Sequence, residues 1–152
     1  MTASDRYGAP ATRRPLLWDR WLTTVIIGVL VYAALLVVRG GIPAVMFDRL
    51  GFGMTASGIS DGPARRYVLL IYGVLGAVLV GWMLLLLAIA TGPLRRRERW
   101  AWNAVALSMT LWFLVDTTFS IIIGFPAHAL FNVAFAVAIG VPLAALHKHL
   151  AA

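Results

Sequence analysis

The chain has 152 residues and no cysteine. Disulfides, thiol redox chemistry, zinc ribbons and covalently attached haem are therefore excluded. Charge is nearly as scarce: Asp, Glu, Lys and Arg make up 12% of the residues, and only six are acids. A soluble domain would carry about 25%. What replaces charge is apolar bulk, with 61% hydrophobic residues and a mean hydropathy of +0.87. Those values exclude an ordinary water-soluble globule. The length suits one domain.

Thirteen Lys and Arg against six acids give a net charge of +7 and an isoelectric point near 11.1. Such a balance first suggests a polyanionic partner. The cations, however, gather at the ends of apolar runs and not along one face. With no binding motif beside them, they do not read as a nucleic-acid surface.

Four runs approach or exceed the roughly 20 apolar residues that cross a hydrocarbon core about 30 Å thick. They cover residues 22–38, 68–90, 101–123 and 127–146. Lipid offers no hydrogen-bond partners, and continuous runs without alternation are helices, not barrel strands. The fold class is all-α: a polytopic four-helix membrane bundle spanning residues 21–147, with tails 1–20 and 148–152. The basic start of the chain and Arg13-Arg14 look superficially like an export signal. The first apolar run is too long for one and lacks a small-residue cleavage site.

Charge placement gives an orientation. The N-terminal segment, the connection after the second run and Lys148 share one side and hold nine cations. The other side holds four, Arg39, Arg49, Arg65 and Arg66. The positive-inside rule then places both termini in the cytoplasm of a bacterial inner membrane, with Trp18, Trp21, Trp100 and Trp102 at the interface. Anionic headgroups and topology account for the high charge.

Two connections differ in length. Residues 39–67 are expected to form the long one, with residues 44–50 as a short amphipathic helix and Ser60-Asp61-Gly62-Pro63 as a capped helix start. Between the third and fourth runs stand only Gly124-Phe125-Pro126. Glycine can end one helix in the left-handed conformation and proline can open the next, so the last two helices form a tight hairpin.

Helices in lipid associate through small residues and a few polar contacts. Gly73, Ala77 and Gly81, with Gly76 beside them, recur at four-residue spacing in the second run. His128, Asn132, Ala136, Gly140 and Ala144 do so in the fourth. Both stripes are expected to face the bundle interior, and a homodimer or a membrane-protein partner is left open. Asp116 is the one acid inside a run, and an intramembrane carboxylate is a functional candidate by default. The hairpin brings Asp116, Ser120, His128 and Asn132 to similar depth. That is either an outward-facing pocket for a proton, cation or small solute, or a hydrogen-bond network that fixes the hairpin, with Asp116 protonated or paired to Arg39 or Arg66. His147-Lys148-His149 lacks a third ligand and reads as a solvated tail, so no metal is expected. No cofactor is expected either: no span carries the lysine of a retinal Schiff base or the histidine pairs of a b-type haem. Nucleophile–base arrangements, phosphate loops and paired carboxylates are also missing, which leans away from an enzyme.

The strings Arg66-Tyr67-Val68 through Gly81-Trp82, Arg97-Glu98-Arg99-Trp100-Ala101-Trp102 and Trp112-Phe113-Leu114-Val115-Asp116-Thr117 resemble small, uncharacterised four-helix bacterial integral membrane proteins. The likeness covers roughly residues 20–146 and implies the fold and the membrane but no activity. The hairpin with its Asp and Asn is faintly similar to the sterol-isomerase and sigma-2 receptor superfamily. Those proteins place acids on several helices, whereas the first two spans here have none. Three functions stay open: a non-enzymatic accessory or scaffold component, a carrier using Asp116, and a membrane enzyme acting on a lipid-like substrate.

Overall fold

The computed structural model describes residues 16–39 and 62–150, the side chain of Arg39 excepted. Four helices follow one another: α1 Leu17–Arg39, α2 Pro63–Thr91, α3 Arg99–Ile122 and α4 Pro126–His147. At 1.5 Å per residue each is longer than a hydrocarbon core about 30 Å thick, and each is apolar enough to cross one. Large apolar side chains face outward along all four; Ile122 is 76% exposed and Leu130 71%. In water so wide an apolar surface would drive aggregation; in lipid it is the outer wall of a multi-pass membrane protein.

The helices outrun the apolar runs because polar residues continue them past the membrane edge. Helix α1 begins within the expected N-terminal tail. Its first turn holds Asp19, whose Oδ2 accepts the Leu16 backbone N–H at 2.7 Å, closing one of the free donors at a helix start. Helix α2 opens on Pro63, as expected. Its cap is Gly62, so no side chain caps it. Ser60, Asp61 and the amphipathic stretch 44–50 lie outside the described residues.

The expected hairpin is present. Gly124 takes φ +86°, its N–H donates to Ile121 O at 3.1 Å, and the Phe125 N–H donates to Ser120 O at 2.8 Å. This is the Schellman pattern that ends a helix on a left-handed residue. Pro126 then starts α4.

Helix α1 packs against α2 and α4, while α3 packs mainly on α4 and touches α2 little. The bundle is therefore a four-cornered ring in the order α2, α1, α4, α3. Rings fill the wide α2–α3 gap: Trp82 lies 6.2 Å from Trp112, which meets Phe135 at 5.4 Å. The Trp82 indole also donates to Ser108 Oγ at 3.2 Å.

The small-residue stripes do not face inward as expected. The buried residues of α2 are Gly76, Met83, Leu86 and Ala90. Ala77 and Gly81 are exposed, and a Cβ built on Gly73 or Gly81 would meet nothing within 4 Å. The close approach belongs to Gly76, where a Cβ would stand 2.8 Å from Ala33 O and 2.9 Å from Leu36 Cβ. On α4 the stripe starts buried at His128 and Asn132, is half-buried at Ala136 and exposed at Gly140 and Ala144. The cause is helical geometry. Strict four-residue spacing turns about 40° per step, so it winds off the seam, which instead follows Asn132, Ile139, Leu143 and Leu146.

One residue breaks the regular ladder of α4. Pro142 sits inside the helix and has no N–H for the Ala138 carbonyl four residues back. The Trp21 indole of α1 takes its place, donating to Ala138 O at 3.1 Å.

Candidate functional site

Asp116 lies on α3 six residues before its end, about 9 Å along the axis. The Gly124 turn brings α4 back against it. Its Oδ2 accepts the Asn132 amide at 2.9 Å and stands 3.2 Å from His128 Nε2. The same Asn132 nitrogen reaches Thr117 Oγ1 at 3.3 Å. His128 and Asn132 are one turn apart on one face of α4, as Asp116 and Thr117 are adjacent on α3. The hairpin alone therefore assembles the group. Asn132 is wholly buried and the Asp116 side chain is 32% exposed. Among the described residues the partners of the carboxylate are this histidine and this amide; Arg66 is not one of them, and the side chain of Arg39 is outside the description.

Of the four residues expected to meet here, three do. Ser120 is buried, but its hydroxyl donates to the Asp116 backbone carbonyl at 2.6 Å. That bond to the carbonyl four residues back is the usual alternative for serine within a helix. It withdraws Ser120 from the carboxylate, and Thr117 takes the place instead. The Asn132 Oδ1 is buried with no acceptor bond used among the described residues. Chemically the cluster offers a carboxylate, an imidazole and an amide, which can hold a proton or a cation. Of the two hydroxyls at the site, that of Ser120 is committed to backbone and that of Thr117 accepts from the Asn132 amide.

A second polar cluster, which the sequence does not announce, closes the opposite end. The segment 92–98 joins α2 to α3. Its turn has the same frame as the hairpin: the Arg97 N–H donates to Leu94 O at 3.0 Å and the Glu98 N–H to Pro93 O at 3.1 Å. The left-handed position is held by Arg97 at φ +65°, where glycine is usual. Its guanidinium forms a bidentate pair with Asp19, Nη1 to Oδ1 at 2.8 Å and Nη2 to Oδ2 at 2.6 Å. The two side chains are 3% and 1% exposed. Asp19 falls in the stretch expected as an N-terminal tail, and the structure places it in the first turn of α1. Nothing in the run Arg95-Arg96-Arg97 marks the third as the partner.

Beside this pair, Glu98 accepts from Arg96 Nε at 2.5 Å and from the Trp100 indole at 2.5 Å. These bonds, the arginine's first, hold its carboxyl below the usual carboxylate range. On α4, the His147 ring packs edge-on to Trp102 at 4.7 Å, and the Trp102 indole donates to Leu143 O at 2.7 Å. His147, Lys148 and His149 are exposed. Among the described residues no three His, Asp or Glu side chains are grouped to hold a metal.

Compared with protein-family models, with curated proteins and with solved structures, the chain matches none. Its geometry places it as a four-helix multi-pass membrane protein with a polar cluster on the α3–α4 hairpin and a buried ion pair at the other end.

Proposed function

We propose that this protein is a non-enzymatic accessory or scaffold component of a bacterial cytoplasmic membrane, with both termini in the cytoplasm, and that it acts through helix contacts. One observation carries the reading. On α2 the small residues Ala77 and Gly81 are exposed and Gly73 is half-buried, and Gly73 and Gly81 have open space where a side chain would begin. Faces of this kind let helices approach closely in lipid. The partner is a second copy or another membrane protein. The buried Asp19–Arg97 pair supports the same view, because its two charges are spent on each other. The test is native copurification from membranes with Gly73→Leu and Gly81→Leu. A Cβ at either position meets nothing within 4 Å, so the fold should persist while association is lost. Migration of the unaltered protein as a lone monomer would remove the reading.

A second reading has its own observation. The Asp116 side chain is 32% exposed next to His128 in a segment where a carboxylate costs about 2.5–3.5 kcal/mol to insert. This supports a carrier for a proton, cation or small solute. Asp116→Asn keeps the size and removes the charge. A folded Asp116→Asn protein with unchanged transport or binding would eliminate the carrier.

A further inference from the structure

The turn end of the bundle, where α1 and α3 begin and α2 and α4 end, carries six described cations: Arg20, Arg95, Arg96, Arg97, Arg99 and Lys148. It carries two acids, and both are engaged within the chain, Asp19 by Arg97 and Glu98 by Arg96. Arg20, Arg95, Arg99 and Lys148 therefore have no carboxylate among the described residues. Arg20, Arg99 and Lys148 are exposed and Arg95 is half-buried. The Arg95 Nε is buried and meets no acceptor among the described residues.

Arg95 and Arg99 flank Arg97, which its bidentate pair holds in place. The hydrogen-bonded turn thus carries Arg95 two residues before its fixed arginine and Arg99 two residues after it. Trp100 and Trp21 are 57% and 46% exposed at the same end, the placement of amphipathic rings at headgroup depth. Guanidinium forks match the paired oxygens of a phosphate better than a lysine does.

We propose that this rim is a docking surface for the phosphates of anionic phospholipids, with Arg95 and Arg99 as the binding arginines and Trp100 seated beside them. Charge complementarity selects the occupant, and the exposed tryptophans at the same end favour a membrane lipid over a soluble anion. The proposal goes beyond the helix-contact reading and stands if that reading fails.

The test uses the full chain in mixed micelles with equal phosphatidylglycerol and phosphatidylcholine, counting retained lipids by native mass spectrometry. The unaltered protein should retain phosphatidylglycerol preferentially. A basic residue near an anionic surface contributes about 1 kcal/mol, so Arg95→Gln and Arg99→Gln should each lower the preference roughly fivefold. Arg66→Gln, at the opposite end, should leave it unchanged. Raising salt from about 0.05 to about 0.5 M should erode the preference of the unaltered protein, which gives a readout that needs no variant to fold. Equal retention of the two lipids, an equal loss in Arg66→Gln, or displacement of phosphatidylglycerol by millimolar inorganic phosphate would each overturn the proposal.

Discussion

The turn from α2 to α3 and the turn from α3 to α4 share one backbone frame and differ in the residue that bears it. At the hairpin Gly124 adopts φ +86°; at the other end Arg97 adopts φ +65°. Glycine enters that region freely, whereas an arginine there pays a penalty of about 1–3 kcal/mol. The penalty persists because the left-handed backbone aims the guanidinium at Asp19, and the pair is sealed from solvent. The hairpin end shows no buried, bidentate ion pair like it among the described residues. It relies on the turn itself and on contacts between Asp116, His128 and Asn132, of a class that averages about 0.6 kcal/mol in membranes. One end is thus locked by charge at the expense of strain, and the other is relaxed and held weakly. A rigid end suits a fixed reference for the bundle. A lightly held end leaves a carboxylate with some exposure, which is where ligand or proton chemistry would have room.

The largest effect should come from Asp19→Asn. The amide can still cap Leu16, but the Arg97 charge is left buried without its partner, a change that costs about 3–5 kcal/mol. Reversible unfolding in micelles measures it. Adding Arg97→Gly to that variant should recover most of the loss, since it removes both the orphan charge and the strain. A loss below about 1 kcal/mol for Asp19→Asn would mean that the pair is not the lock described. Next comes Gly124→Ala, which puts a Cβ on the left-handed residue of the hairpin and should cost about 1–2 kcal/mol. If it costs nothing, the two turns are not alternatives in the sense drawn above.

The smallest effect is the acid limb of the pH profile. The folded-state pKa of Glu98 lies below its ordinary value of 4.5. Its bonds to Arg96 and Trp100 therefore stabilise the fold above that value and are lost as pH falls through the lower one. Glu98→Gln should flatten this limb slightly, the side chain being partly exposed and the pair well screened. An unchanged limb would place the acid sensitivity on other carboxyls.

The sequence is most readable where one physical term dominates. Hydropathy alone locates the four spans, because nothing else competes with lipid for long apolar runs. Gly124 and Pro126 fix the hairpin because each residue has few alternatives at its position. The hairpin then puts Asp116 beside His128 and Asn132 by depth alone. The rest depends on rotation about the helix axis, which small residues do not determine. Gly73, Ala77 and Gly81 repeat as regularly as a packing seam, yet the seam runs through Gly76 and Met83. Ser120 failed for a local reason, since its hydroxyl finds a backbone carbonyl within its own helix. The Asp19–Arg97 pair was hidden by abundance: the segment 95–99 holds four arginines, and only the backbone conformation singles out one.

Pro142 carries a consequence for how the molecule is assembled in time. By freeing the Ala138 carbonyl it makes the acceptor for Trp21, which lies 117 residues earlier in the chain. The acid two residues before Trp21 waits likewise for Arg97, 78 residues on. Helix α1 is therefore synthesised before either of these partners exists, and its Trp21 bond forms only after the final span has entered the bilayer. A chain truncated before α4 should keep α1 on α2 but leave the Trp21 indole without its acceptor, which cysteine cross-linking between α1 and α4 at successive chain lengths would reveal.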